Sequence, residues 1–360
     1  MRSCSGKENG KVDTIMARSK NRLKTGTIIW RVVVVFFTTL LMIVIGLYFI
    51  MLIIAKGPSP TAKKLFVCSV QETSAIKFLA NWYFSDEQIA EYLGSNREAT
   101  EAVNTALIQI ASPDAPAENG ESAAPRQPME LVDVQGSTYK GKLLKIADPS
   151  RVFVGISGPY GEAYEGKRVK DMMDAYGAVA GTNAGGFQDL NGVGNGGIPL
   201  DLVISEGQLR YGGLATSYNN VIGFDQDNIL HVGTMTGQEA VDLGLRDAVC
   251  WATGPTLIIN GKACNEQESL GGGFNPRTAI GQTADGTVLM LVIDGRQTSS
   301  LGATYDDLVN IMLQNGAVNA ANLDGGSSSL MYVNGELVNV CSSLYGPRKM
   351  PTAWLVKPES

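Results

Sequence analysis

The sequence predicts an α+β fold: a mixed β-sheet domain with β-hairpins and a βαβ unit flanked by helices, preceded by a single transmembrane helix and a helical stalk. Three observations predict it. Residues 28–55 form a nearly unbroken apolar run. Two Asn-Gly pairs, Asn260-Gly261 and Asn334-Gly335, each separate short apolar runs, as two-residue type I′ hairpins require. A helix-period stripe, Tyr305, Leu308, Val309, Met312 and Leu313, lies between two apolar runs that each stop at Asp-Gly.

Residues 1–27 read as a basic cytoplasmic tail. In the run over 28–55, about 24 helical residues from Val32 onward rise ~1.5 Å each and span roughly 36 Å, enough for a bilayer core with tilt. Arg18, Lys20, Arg22, Lys24 and Arg31 precede or open the span, and Lys56, Lys63 and Lys64 follow it. That bias puts the N-terminus in the cytoplasm and the C-terminal domain outside, a single-pass plasma-membrane protein. The run is too long for a signal-peptide core and no clear A-x-A site follows, which favours an uncleaved anchor. Residues 56–130 read as stalk and linker, helical over 65–110 with a start at Ser85-Asp86-Glu87-Gln88, then rich in Ala, Pro, Glu and Asn. A compact domain is expected over 131–357.

Composition narrows the chemistry. Residues 1–56 hold nine Lys/Arg against two acids, so a chain of net charge -6 carries about -13 beyond them. An acidic ectodomain argues against nucleic-acid binding. The single histidine, His231, argues against a His-based zinc site or a His-dependent triad and reads as a structural strand residue. The cysteines Cys4, Cys68, Cys250, Cys264 and Cys341 lack metal spacing and read as buried thiols.

Within the domain, Thr278-Gly281 turns through Ala284-Asp285-Gly286 into the strand Thr287-Ile293. Helices are expected over about 168–176 and 305–314, the second opened by a Thr304/Asp307 capping box. Each ends in Gly-Ala-Val and a short strand that stops at an Asn: Gly177 to Asn183, and Gly316 to Asn322. The unit Thr287-Ile293, helix 305–314, Ala317-Leu323 fits a βαβ crossover. As neighbouring parallel strands ~4.8 Å apart, its two runs bring Asp294 and Asp324 within roughly 5–10 Å, a range covering both retaining and inverting glycoside hydrolysis.

Around those aspartates stand the other candidates. Gly185 and Gly186, in Asn183-Ala184-Gly185-Gly186-Phe187, let backbone approach a ligand closely. Arg277 and Arg296 offer planar forks for a phosphate diester, against a surface salt bridge for either. Gly325, Gly326 and Ser327 open a turn with hydroxyls and N–H groups suited to an anion. Asp189 and Asn191 alternate like part of a calcium loop but lack its closing Glu, so a flexible loop near the site is favoured over a metal site.

Together these residues resemble the phosphodiester glycosidase family. The resemblance rests on Asn183…Gly185-Gly186-Phe187, Arg277-Thr278-Ala279-Ile280-Gly281, Asp294-Gly295-Arg296, Gly302-Ala303-Thr304 and Asn322-Leu323-Asp324-Gly325-Gly326-Ser327-Ser328, with Arg348…Pro351-Thr352-Ala353 fitting the family's ending. The chain departs at Ala184 and Gln188, where the family usually has Gly and a second aromatic, and at Ser327, where it has a third Gly. The resemblance implies an extracytoplasmic hydrolase cleaving the glycosidic bond of a sugar-1-phosphodiester of N-acetylglucosamine type, or of a related cell-surface or exopolysaccharide glycan. Asp294 and Asp324 would be catalytic. Asn183, Gly185, Gly186, Arg277, Thr278, Arg296, Asn322, Gly325, Gly326 and Ser327 would bind substrate. No cofactor is required, though a divalent cation is compatible. The alternative is a glycan-phosphate binding or polymer-assembly module without chemistry.

Overall fold

The computed structural model describes residues 25–73, 76–93, 99, 101–110, 127–189, 194–266, 269–343 and 345–359. Most of the basic tail, Cys4, most of the expected linker and Asn191 lie outside them. The chain divides into two compact units at Gly57/Pro58, each described by itself. The first is α1 (Thr25–Lys56), a helix long and apolar enough to cross a membrane.

The second unit opens with α2 (Pro60–Gln71), α3 (Phe78–Asn81) and α4 (Asp86–Leu93). Ser59 caps α2 by accepting from the Ala62 N–H, with Pro60 in the first turn, where its missing N–H costs nothing. This segment was expected to be a stalk, yet it lies against the domain. The hydroxyl of Ser69 accepts from the Phe274 N–H at 2.9 Å, and the carbonyl of Ala99 accepts from the Thr234 N–H at 2.8 Å. A lone short helix is marginal in water, so docking is what stabilises these turns.

The strands follow in chain order: β1 (Met129–Gln135), β2 (Lys140–Ile146), β3 (Val152–Ile156), then α5 (Val169–Tyr176) and β4 (Ala180–Asn183). Next come β5 (Val203–Ser205), β6 (Gln208–Tyr211), β7 (Ser217–Phe224), β8 (Leu230–Thr236), α6 (Gly237–Asp242), β9 (Asp247–Cys250), β10 (Thr256–Ile259) and β11 (Lys262–Ala263). The chain closes with β12 (Arg277–Thr283), β13 (Val288–Ile293), α7 (Tyr305–Gln314), β14 (Ala317–Asn322), β15 (Met331–Val333), β16 (Glu336–Leu337) and β17 (Thr352–Val356). They form three antiparallel sheets, in the orders β1-β2-β13-β12-β14-β10-β11, β16-β15-β4-β17-β3 and β6-β5-β9-β7-β8.

Strand β13 shows how the layers are built. Leu289, Leu291 and Ile293 point to α7, while Val288, Met290 and Val292 join the central core with Phe224, Val249 and Trp354. A strand buried on both faces has no polar alternation, which is why its sequence is one apolar run. The expected hairpins form at Asn260-Gly261 and Asn334-Gly335, all four residues left-handed, as type I′ turns demand. The Thr304/Asp307 capping box also forms.

One expectation changes. Strands β13 and β14 are parallel but not neighbours, because β12 lies between them and pairs antiparallel with both. The turn at Ala284-Asp285-Gly286 is short enough to zip β12 onto β13 directly, so the helix crossover has to clear one extra strand. Two interstrand spacings, about 10 Å, then separate the strand ends that carry Asp294 and Asp324.

Candidate active site

The start of β12 and the ends of β13 and β14 share one sheet edge, and the end of β4 meets them from the second sheet. Asn183 makes that junction. Its Nδ2 donates to the Asp324 carbonyl at 2.5 Å, and its Oδ1 accepts from the Thr278 hydroxyl at 2.8 Å and the Leu330 N–H at 3.3 Å. Both Asn183 and Thr278 are fully buried. The polar atoms expected to meet substrate therefore stitch two sheets together and set the height of Asp324. Gly185 and Gly186 are likewise spent on protein: their N–H groups donate to the Thr352 hydroxyl and the Cys250 carbonyl. A Cβ on Gly186 would stand 2.3 Å from the Trp251 ring, so the missing side chain makes room for an indole.

The two expected arginines differ. Arg277 is buried, its face 4.0 Å from the Tyr305 ring centroid. It donates to the Ala303 and Gly273 carbonyls and pairs with Glu72 at 2.7 Å. With these donors directed into protein, Arg277 braces the α2 segment to the domain. Arg296 is exposed and left-handed, at φ 59°, a conformation costly for a side chain with a Cβ. Its Nη2 donates to Asn275 Oδ1 and the Glu72 carbonyl, and its guanidinium lies beside Gly326. Gly326 itself is left-handed, and its N–H donates to the Pro276 carbonyl.

Asp324 lies two residues past the end of β14, and its N–H donates to the Ala184 carbonyl. Burial pushes its carboxyl up to about 7, against lowering by a hydrogen bond from Ser328, the charge of Arg348 and the Gly325 N–H, with the charge of Asp189 adding to the rise. Asp189 behaves oppositely. Burial alone would raise it, but two hydrogen bonds from Arg348, at 2.6 and 2.7 Å, and one from the Gly194 N–H hold its carboxyl below the ordinary value. Two neighbouring carboxyls pushed apart in pKa are the usual mark of divided acid–base roles. Arg348 also reaches the Ser327 hydroxyl at 3.4 Å and stacks 4.8 Å from the centroid of Phe187.

Asp294 is otherwise engaged. Its Oδ1 accepts from Asn339 Nδ2 and the Val340 N–H, tying down the stretch after β16. Asn322 donates through Nδ2 to the Leu323 carbonyl, and its buried Oδ1 has no partner among the described residues. His231 pairs with Asp225 at 2.7 Å in the interior. Cys68, Cys250, Cys264 and Cys341 are free thiols. Asp189, weighed as a metal ligand, is bound to a guanidinium instead, and no cluster of three potential metal ligands occurs among the described residues. No sequence motif marks Glu72 or Trp251 as a site residue. Arg348 alone carried a trace, in the resemblance of the chain's ending.

With this geometry in view, known proteins are informative. The family profile described as phosphodiester glycosidase matches residues 176–357, from the last residue of α5 to the strand that closes the second sheet. The chain belongs to the phosphodiester glycosidase family. It is 29% identical over 227 residues to mouse N-acetylglucosamine-1-phosphodiester alpha-N-acetylglucosaminidase, covering 57% of this chain and 42% of that protein. It is also 29% identical over 210 residues to the SPbeta prophage-derived uncharacterized protein YomE of Bacillus subtilis (strain 168), covering 56% and 30%. The chain thus spans less than half the length of these curated relatives. The zebrafish catalytic domain of the same glucosaminidase, solved auto-inhibited by its pro-peptide, shares the fold: TM-score 0.55 at 21% identity, covering 70% of this chain and 87% of that one. Asp189, Asp324 and Arg348 fall inside the matched region, whereas Glu72 falls outside it.

Proposed function

We propose that the chain is a membrane-anchored hydrolase that cleaves the bond between the anomeric carbon and the phosphate of a sugar-1-phosphodiester. The single observation that carries this is Asp324, a buried carboxyl held near neutrality beside a charged Asp189–Arg348 pair. The relatives' names suggest N-acetylglucosamine as the sugar. Helix α1 would span the membrane, with the basic residues before it on the cytoplasmic side and the domain outside.

In this mechanism the ionised Asp324 takes a proton from water as the water oxygen bonds to the anomeric carbon. The carbon–oxygen bond to phosphate breaks with its electron pair passing to the phosphate, a leaving group that needs little acid help. Arg296 and Arg348 flank the Gly326-Ser327 turn and would neutralise the phosphate, with the Ser327 hydroxyl donating beside them. Asp189 holds Arg348 in place. The rate should then fall as pH drops below about 7, through protonation of Asp324.

The test is release of free sugar from UDP-N-acetylglucosamine and a panel of sugar phosphodiesters by the full chain in detergent. Turnover by the wild type that is lost in Asp324→Asn supports the proposal. Binding of the same compounds by calorimetry with no released sugar would instead make the domain a glycan-phosphate binding module.

A further inference from the structure

Trp251 lies outside the apolar core of the domain. It is partly exposed and follows β9, where its carbonyl accepts from Asn220 Nδ2. Two backbones are shaped to hold its ring. A Cβ on Gly186 would lie 2.3–2.4 Å from Cε3 and Cζ3, and one on Gly254 would lie 2.5–2.7 Å from Cδ1 and Nε1. Both indole ends therefore rest on glycine, and neither position tolerates a side chain without moving the ring. An aromatic plane fixed this way loses little entropy on meeting a ligand.

The same Gly254 ties the ring to the strand that leads to Asp324. Its absent Cβ would sit 2.3 Å from Nδ2 of Asn322. Asn322 lies two residues before Asp324, and Gly186 two residues after Ala184, whose carbonyl receives the Asp324 N–H. A flat apolar face on the backbone that leads to Asp324 matches one class of ligand: a pyranose ring, with C–H groups on one face and hydroxyls at its rim.

We propose that Trp251 is the platform on which the sugar ring of the substrate stacks. This rests on the proposed function, and places the sugar on the Trp251 side of Asp324 and the phosphate on the Arg348 side.

The test compares the full chain with Trp251→Phe and Trp251→Leu, reading KM, kcat and thermal midpoint. A platform predicts that KM rises about tenfold in Trp251→Leu and is largely restored in Trp251→Phe, with the midpoint alike in the two variants. A second reading uses Asp324→Asn, which should bind without turnover: titrated sugar should change its tryptophan fluorescence, and Trp251→Phe in that background should remove the change. Equal KM for all three proteins, or a fluorescence change that survives in the double variant, overturns the platform while leaving the hydrolase standing. No turnover and no binding by the wild type would overturn the hydrolase and the platform with it.

Discussion

Arg277 and Arg348 are built alike and do different work. Each stacks on an aromatic ring, Tyr305 or Phe187, and each pairs with a carboxylate far away in sequence, Glu72 or Asp189. Around Arg277 the remaining donors go to backbone carbonyls and its side chain is 4% exposed. Around Arg348 the side chain is 13% exposed and faces Ser327 and the buried Asp324. The lesson is that a guanidinium–carboxylate pair is a brace or a working part according to its third neighbour. Carbonyls alone complete a brace, whereas Arg348 reaches the Gly194 carbonyl at 3.4 Å and still faces a carboxyl. A carboxyl of raised pKa leaves unfinished chemistry.

The comparison breaks most visibly at Asp324. The shift from 3.8 to about 7 makes the ionised side chain cost the fold up to about 4 kcal/mol. An unfolded carboxyl titrates near 3.8, so this cost develops as pH rises from there to about 7 and is complete above it. Asp324→Asn should therefore abolish sugar release while raising the thermal midpoint by several degrees at pH 8, and by much less at pH 4. A purely structural aspartate would show the reverse, a lower midpoint at both pH values.

Arg348→Ala comes next. It removes a phosphate ligand and the charge that lowers the Asp324 pKa. Turnover should fall about a hundredfold, in line with the loss of one charge-stabilising donor. The limb of the pH–rate profile should also move to higher pH. Arg348→Lys should recover part of the rate, since a point charge restores attraction but not the paired hydrogen bonds to Asp189. An unmoved limb would separate Arg348 from Asp324 and leave it a brace like Arg277.

How much of this was legible depended on the range of the interaction. The hairpin at Asn260-Gly261 and the cap at Thr304 are decided by residues within four positions of each other, and both were readable. So was the meeting of motifs at one edge, because strand ends fix it. The order of strands was not: the Ala284-Asp285-Gly286 turn that inserts β12 is itself local, yet its consequence for the neighbours of β13 depends on the whole sheet. Asp189 with Arg348, 159 residues apart, and Glu72 with Arg277 pair over long stretches of chain, and no local pattern announces either. Asn183 shows a further limit. Composition places an amide at the strand end, but only three-dimensional partners tell a stitch from a ligand.

Glu72 tests the brace from its other side. Glu72→Ala removes the partner of Arg277 and of the Asn275 amide at once, leaving a buried guanidinium without its counter-charge. Breaking such a pair is strongly destabilising, so the thermal midpoint should drop by more than 5 °C, on the order of several kcal/mol, with KM unchanged. Should turnover instead rise, Arg277 would be a phosphate ligand that α2 masks, and its likeness to Arg348 would be functional.

The smallest effect should come from Asp294, the other half of the carboxylate pair that the sequence put forward. Its Oδ1 accepts two hydrogen bonds, from Asn339 Nδ2 and the Val340 N–H. Asp294→Asn keeps a carbonyl oxygen able to accept both, so stability should change by about 1 kcal/mol or less and turnover by less than about threefold. Asp294→Ala discards the acceptor and should cost more, by loosening the stretch after β16. That pattern, Ala worse than Asn, belongs to a hydrogen-bond anchor. If Asn proved as inactive as Ala at an unchanged thermal midpoint, the negative charge itself would matter, and Asp294 rather than Asp189 would be the partner of Asp324.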